Sequence, residues 1–144
     1  MQTKLTQLLN IKHPIIQAPM FLVSNVAMVT EAMKAGIAGC IPALNYRTLD
    51  ELRGALKELK ANKVEGGSFG FNLIVNKSNI KYIGQLEVIC KEGCDFIITS
   101  LGSPGGGVGR RLNLFVLTLR SITVERSIWQ LWALGNQLGR GLSS

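Results

Sequence analysis

The sequence predicts an α/β fold: about four consecutive βα units, forming the first half of a TIM-type barrel or part of a doubly wound sheet, followed by an irregular C-terminal tail. Three observations carry this. Short apolar runs alternate with amphipathic stretches of about 12–16 residues, giving a repeat of roughly 25–30 residues. The runs are apolar at neighbouring positions, so both faces of each strand are buried, as in a parallel sheet covered by helices. The connections are short and punctuated by proline or glycine.

The elements follow in order. TKLTQLLN (3–10) puts Leu5, Leu8 and Leu9 on one helical face and reads as a short helix that flanks or plugs the first strand. HPIIQAPM (13–20) is that strand, and it ends at Ala18-Pro19 because proline brings no N–H to a ladder. SNVAMVTEAMKAG (24–36) places Val26, Val29, Ala32 and Met33 on one face of a helix, with Ser24 or Asn25 as its cap and Gly36 as its stop. IAGCIPAL (37–44) is the second strand, closed by Pro42.

TLDELRGALKELKANK (48–63) is the clearest helix. Thr48 and Glu51 have capping-box spacing, and Leu49, Leu52, Leu56 and Leu59 form its stripe. SFGFNLIV (68–75) is the third strand, with Gly70 marking a close approach of a backbone or ligand. NIKYIGQLEVICKEG (79–93) is a helix expected to face inward with Ile83, Leu86, Ile89 and Cys90, and CDFIITSLG (94–102) is the fourth strand.

Past Gly105 the rhythm stops. LNLFVLTL (112–119) is apolar with weak alternation, and both tryptophans, Trp129 and Trp132, fall in the remainder. Charge changes at the same place. Residues 1–105 carry nine Lys, two Arg and eight acids, whereas residues 106–144 carry five Arg, no Lys and one acid. The net charge of +7 invites a nucleic-acid partner, but more than half of it comes from this last quarter. The body has mixed charges on helical faces, which is a solvated surface. No nucleic-acid partner and no membrane partner are expected.

The chain therefore divides at 1–105 and 106–144. The glycine cluster at 102–109 lacks the Lys-Ser/Thr of a P-loop and the spacing of a dinucleotide fingerprint. We read it as a seam. The joint loss of lysines, acids and βα rhythm leads us to expect that the frame of a longer enzyme is lost near codons 104–106. The rival is a short protein with a divergent C-terminal element.

The three cysteines, Cys40, Cys90 and Cys94, are an odd number in a chain without a signal-peptide pattern, so free thiols and a cytoplasmic location are expected. Cys90 and Cys94 are four apart, but no histidine or third cysteine accompanies them, so they read as buried apolar residues and not as metal ligands.

In both α/β architectures ligands sit at the carboxyl ends of the strands. The residues to inspect are Ala18-Pro19-Met20, Pro42-Ala43, Asn72 and Ser100 to Ser103. PIIQAPM, AGIAGCIPA, GSFGFNL and DFIITSLGSP, in that order and spacing, resemble the nitronate monooxygenase family, once called 2-nitropropane dioxygenases, with FMN-dependent enoyl-ACP reductases as close relatives. The resemblance covers about residues 3–104 and implies the first half of a TIM-barrel-like FMN-binding fold.

The resemblance further implies an FMN contact by the backbone of Ala18, Pro19 and Met20, by the Asn72 side chain, and by Ser100 to Gly102. It implies oxidation of alkyl nitronates with molecular oxygen to carbonyl compounds and nitrite, with enoyl thioester reduction as the runner-up. The sequence also departs from the family. The family's glycine-rich phosphate loops and the histidine base of its downstream Gly-Gly-His segment have no counterpart here, so no catalytic residue is assigned. His13, the single histidine, precedes the first strand and is given no catalytic role. Weak flavin binding and weak or absent turnover follow. A non-catalytic half-barrel, self-associating through exposed edges of its first and fourth strands, is the remaining alternative.

Overall fold

The computed structural model describes residues 2–101 and the backbone of 115–119. Helix α1 (Lys4–Leu9) leads into strand β1 (Ile16–Gln17). Helix α2 (Val26–Lys34), strand β2 (Ala38–Pro42), a 3-10 turn (Ala43–Asn45), helix α3 (Leu49–Ala61), strand β3 (Ser68–Ile74), helix α4 (Tyr82–Glu92) and strand β4 (Phe96–Ser100) follow. The strands pair in sequence order, every pair parallel. This succession of parallel βα units is the expected α/β architecture.

The apolar run past residue 105 adds to it. Phe115–Leu119 forms strand β5, parallel to β4 with Phe96 opposite Phe115 and Ser100 opposite Leu119. The sheet thus crosses the compositional boundary. An apolar run without clear alternation suits a strand buried on both faces, although its sequence alone leaves helix and strand unresolved. The edge of β4, expected to be exposed, is consequently paired.

Register sorts the sheet into two faces. Ala38, Cys40 and Pro42 share a face with Ser68, Gly70 and Asn72, and with Phe96, Ile98 and Ser100. On this face Ala38, Cys40, Phe96 and Ile98 pack with Leu9 and Ile11, so α1 does plug the amino end of the sheet. The opposite face carries Ile41, Phe69, Phe71, Leu73 and Ile97, which pack with Val29, Met33, Leu52, Leu56 and Leu59 from the helices. Burying each such side chain contributes roughly 1.5–3 kcal/mol before entropy is counted.

Local signals account for most helix ends. Thr48 Oγ1 accepts from Glu51 N at 3.2 Å, and a Glu51 carboxylate oxygen accepts from Thr48 N at 3.2 Å, which completes the capping box of α3. Asn25, not Ser24, caps α2, its Oδ1 accepting from Met28 N at 2.9 Å. β1 is shorter than HPIIQAPM suggested, because Pro14 and Pro19 leave only Ile16 and Gln17 in register with β2. The inward face of α4 is also displaced. Gln85, Val88 and Ile89 are its buried residues, while Ile83 is 59 % exposed. Gln85 tolerates burial because its Oε1 accepts from Asn79 Nδ2 at 3.2 Å.

Candidate functional site

The amino ends of the strands are closed by satisfied contacts. Ser68 Oγ donates to Leu9 O, tying β3 to α1. Asp95 accepts from Phe69 N at 2.9 Å and pairs with Lys63. The Lys12 stem lies between two left-handed glycines, Gly36 and Gly66, where an added Cβ would come within 2.9 and 2.8 Å of it. His13 sits at this end, its N–H donating to Gly36 O at 3.0 Å. A concavity lined by Leu8, Asn10, Lys63, Glu65, Ser68 and Asp95 opens here. Lys63, Ser68 and Asp95 of this lining are engaged in these contacts, and active sites of such folds lie at the opposite end.

At the carboxyl end the shared inner face changes character. Above Ser68 at its base the face runs through Cys40, Gly70, Phe96 and Ile98, and towards the carboxyl ends it carries Pro42, Asn72, Ile74 and Ser100. Asn72 is 7 % exposed. Its Nδ2 donates to Ile98 O at 3.0 Å and to Ser100 Oγ at 2.7 Å, which fixes the amide's orientation. Two capacities are left at this spot. Among the described residues nothing donates to Asn72 Oδ1, and the Ser100 hydroxyl, having accepted from Asn72, keeps its own proton to donate.

Gly70 lies one layer below. The expected close approach is made by a neighbouring strand: a Cβ at Gly70 would lie 2.5 Å from Phe96 O and 2.6 Å from the Phe96 ring. Glycine here lets the Phe96 ring fill the floor under Asn72.

Ala18-Pro19-Met20 leaves β1 at the same end. Ser24, itself buried, organises it: Ser24 Oγ accepts from Met20 N at 2.9 Å and donates to Ala18 O at 3.3 Å. Gln17 Nε2 donates to Ala18 O at 2.5 Å and to Ser24 Oγ at 3.1 Å. The loop then presents Phe21 and Leu22 outward, 61 % and 74 % exposed. No side chain from Ala18 to Ser24 is charged.

The structure therefore brings Ala18, Pro19, Met20, Asn72 and Ser100 to one end of one sheet, with Asn72 and Ser100 in direct contact. Gly102, and with it the 102–109 glycine cluster, lies outside the described residues, as do Trp129 and Trp132. Sequence reasoning missed Asn45 and Ser24, which are hydrogen-bonded to this segment. Asn45 offered only a polar residue in a connecting turn, and Ser24 was read only as a candidate cap of the following helix.

The thiols give no sign of nucleophilic activation. Burial pushes the Cys40 and Cys94 thiols far up from their ordinary range, and burial raises Cys90 as well. All three cysteines are free. Among the described residues no helix is long and apolar enough to cross a membrane.

Comparison with known proteins agrees with this fold. The sequence model for nitronate monooxygenase matches residues 2–85. A Mycobacterium tuberculosis protein named (3aS,4S,5R,7aS)-5-hydroxy-7a-methyl-1-oxo-octahydro-1H-indene-4-carboxyl-CoA dehydrogenase is 31% identical over 93 residues, which are 65% of this chain and 25% of that protein. Among solved structures, FabK from Thermotoga maritima is similar with a TM-score of 0.70 at 23% identity, over 82% of this chain and 37% of that one. Its M276A mutant gives the same TM-score and identity over 39% of its length. The chain thus spans a quarter of the curated relative and under two fifths of these structures.

Proposed function

The chain belongs to the nitronate monooxygenase family, whose model matches more than half of it, and on that premise we propose that the carboxyl end of its sheet is a flavin site. The reading is an FMN-dependent oxidoreductase of the nitronate monooxygenase type, which turns alkyl nitronates and O2 into carbonyl compounds and nitrite. The single observation that carries the flavin site is the Asn72–Ser100 pair: a polar couple towards the carboxyl end of a face whose middle is apolar or glycine, with one acceptor and one donor to spare.

That donor set suits a flavin ring, whose pyrimidine edge presents an N–H beside carbonyl oxygens. Asn72 Oδ1 would accept from the ring N–H, and the Ser100 hydroxyl would donate to a ring acceptor. The ordered backbone of Ala18, Pro19 and Met20 would lie against the ring system. Bound FMN would supply electron acceptance and reaction with oxygen.

What the chain's own residues do is bind and orient. Asn72 is held in one orientation by Ile98 O, so its acceptor is fixed before ligand arrives. The uncharged Ala18–Ser24 segment would suit the apolar body of an alkyl substrate. The single histidine, at the amino ends of the strands, is remote from this site and is not its base. We therefore expect weak FMN binding and little turnover from this chain alone, in a cytoplasmic setting and with self-association across its sheet edges.

The test is titration of the purified full chain with FMN, followed by assay with an alkyl nitronate and with an enoyl thioester plus NAD(P)H. Saturable binding with a dissociation constant above about 1 μM is expected. Nitrite release would favour the nitronate reaction, and thioester reduction would favour the runner-up. A preparation that retains one tightly held FMN per chain would contradict the weak-binding expectation, and absence of any binding would contradict the flavin site.

A further inference from the structure

We propose that Asn45 is a positioning residue that locks the first strand-end loop, and through it Ala18-Pro19-Met20, in the shape the site uses. The starting observation is backbone strain. Leu22 has φ +59°, in the left-handed region, where a Cβ crowds the following carbonyl oxygen. Such a conformation persists only where its surroundings over-determine it.

Asn45 supplies that determination from the neighbouring βα unit. Its Oδ1 accepts from Leu22 N at 2.9 Å, and its Nδ2 donates to Ser24 O at 2.9 Å. The amide thus spans the loop, engaging it on both sides of residue 23, and turning it over would break both bonds. Ser24, so held, carries the constraint onward by accepting from Met20 N and donating to Ala18 O.

Asn45 is fixed in its turn. It ends the 3-10 turn that follows β2, and the backbone closes there with Tyr46 N donating to Ala43 O at 3.3 Å. The result is a cross-connection between the ends of β1 and β2 made directly by one side chain. The flavin consequence rests on the function proposed above, whereas the brace itself does not.

The experiment reads the two separately. The full chain, Asn45→Ala and Asn45→Asp are exposed to chymotrypsin, and cleavage after Phe21 and Leu22 is followed by mass spectrometry. FMN affinity is then measured by fluorescence titration. Asn45→Ala should be cut there about tenfold faster, and should bind FMN up to about tenfold more weakly, the scale of two lost hydrogen bonds.

Asn45→Asp keeps the acceptor for Leu22 N and loses the donor to Ser24 O. With a carboxylate oxygen now facing Ser24 O it should likewise be cut faster than the full chain, and it serves alone if Asn45→Ala does not fold. Asp95→Ala, altered at the far end of the sheet, is the control for general destabilisation. Cleavage in the Asn45 variants no faster than in Asp95→Ala would overturn the brace. Faster cleavage in a protein that binds no FMN would uphold the brace and refute the flavin site.

Discussion

The two ends of the sheet are built from the same strands but carry opposite chemistry. At the amino ends polar groups face one another. Ser68 meets Leu9 O, Asp95 meets Phe69 N and Lys63, and Lys12 is pinned between two glycine turns. At the carboxyl ends Asn72 and Ser100 retain unused capacity, and Phe21 and Leu22 face solvent beside an uncharged loop. The two ends thus differ in how far their polar groups are satisfied, and the proposed flavin site lies at the end where barrel-type folds bind ligands.

Substitutions at either end sharpen or break that contrast. The largest effect is expected between them, at Gly70. An alanine there drives its Cβ to 2.5 Å from Phe96 O, so Gly70→Ala should lose about 3 kcal/mol in urea unfolding and weaken ligand binding through the displaced ring. Asp95→Ala leaves Phe69 N without its acceptor and should lose about 2 kcal/mol, with FMN affinity unchanged. A loss of FMN affinity in Asp95→Ala would break the separation of the two ends.

A smaller effect comes from Tyr46, packed against Phe71 with ring centroids 6.3 Å apart. Burial first, and Glu58 second, push its phenol from the ordinary 10.0 up to about 12. The folded state therefore binds this proton more tightly than the unfolded chain. The contribution is fully present below pH 10 and is lost as pH rises towards 12. Burial raises Tyr82 as well, so ultraviolet titration should show both tyrosines ionising above the ordinary range, and Tyr46→Phe should remove the phase at about 12.

Much of the fold was legible because its signals are local. Thr48 and Glu51 stand at capping-box spacing, and the apolar runs at 37–44, 68–75 and 94–102 each became a strand. Misreadings occurred where tertiary contacts decide. Gln85 is buried with its amide satisfied by Asn79, which hydropathy cannot register, and Ile83 is exposed. Strand β5 lay in an apolar run whose pattern fits helix or strand equally, and only pairing with β4 decides it.

The candidate site was partly legible. Asn72 and Ser100 were found because they end apolar strands and because the surrounding motifs resemble a known family. Their contact, however, depends on the β3–β4 register. Asn45 gave no warning, since an asparagine in a connecting turn ordinarily serves its own backbone. Here it serves a loop 21 and 23 residues away in sequence.

The most direct test of a flavin site at the carboxyl ends is an FMN fluorescence titration of the full chain beside Asn72→Ala, with unfolding curves confirming that both are folded. The account predicts saturable binding by the full chain and affinity about tenfold weaker in the variant, the scale of a lost hydrogen bond and a displaced Ser100. Equal affinity in the two folded proteins, or no binding by the full chain, would contradict it.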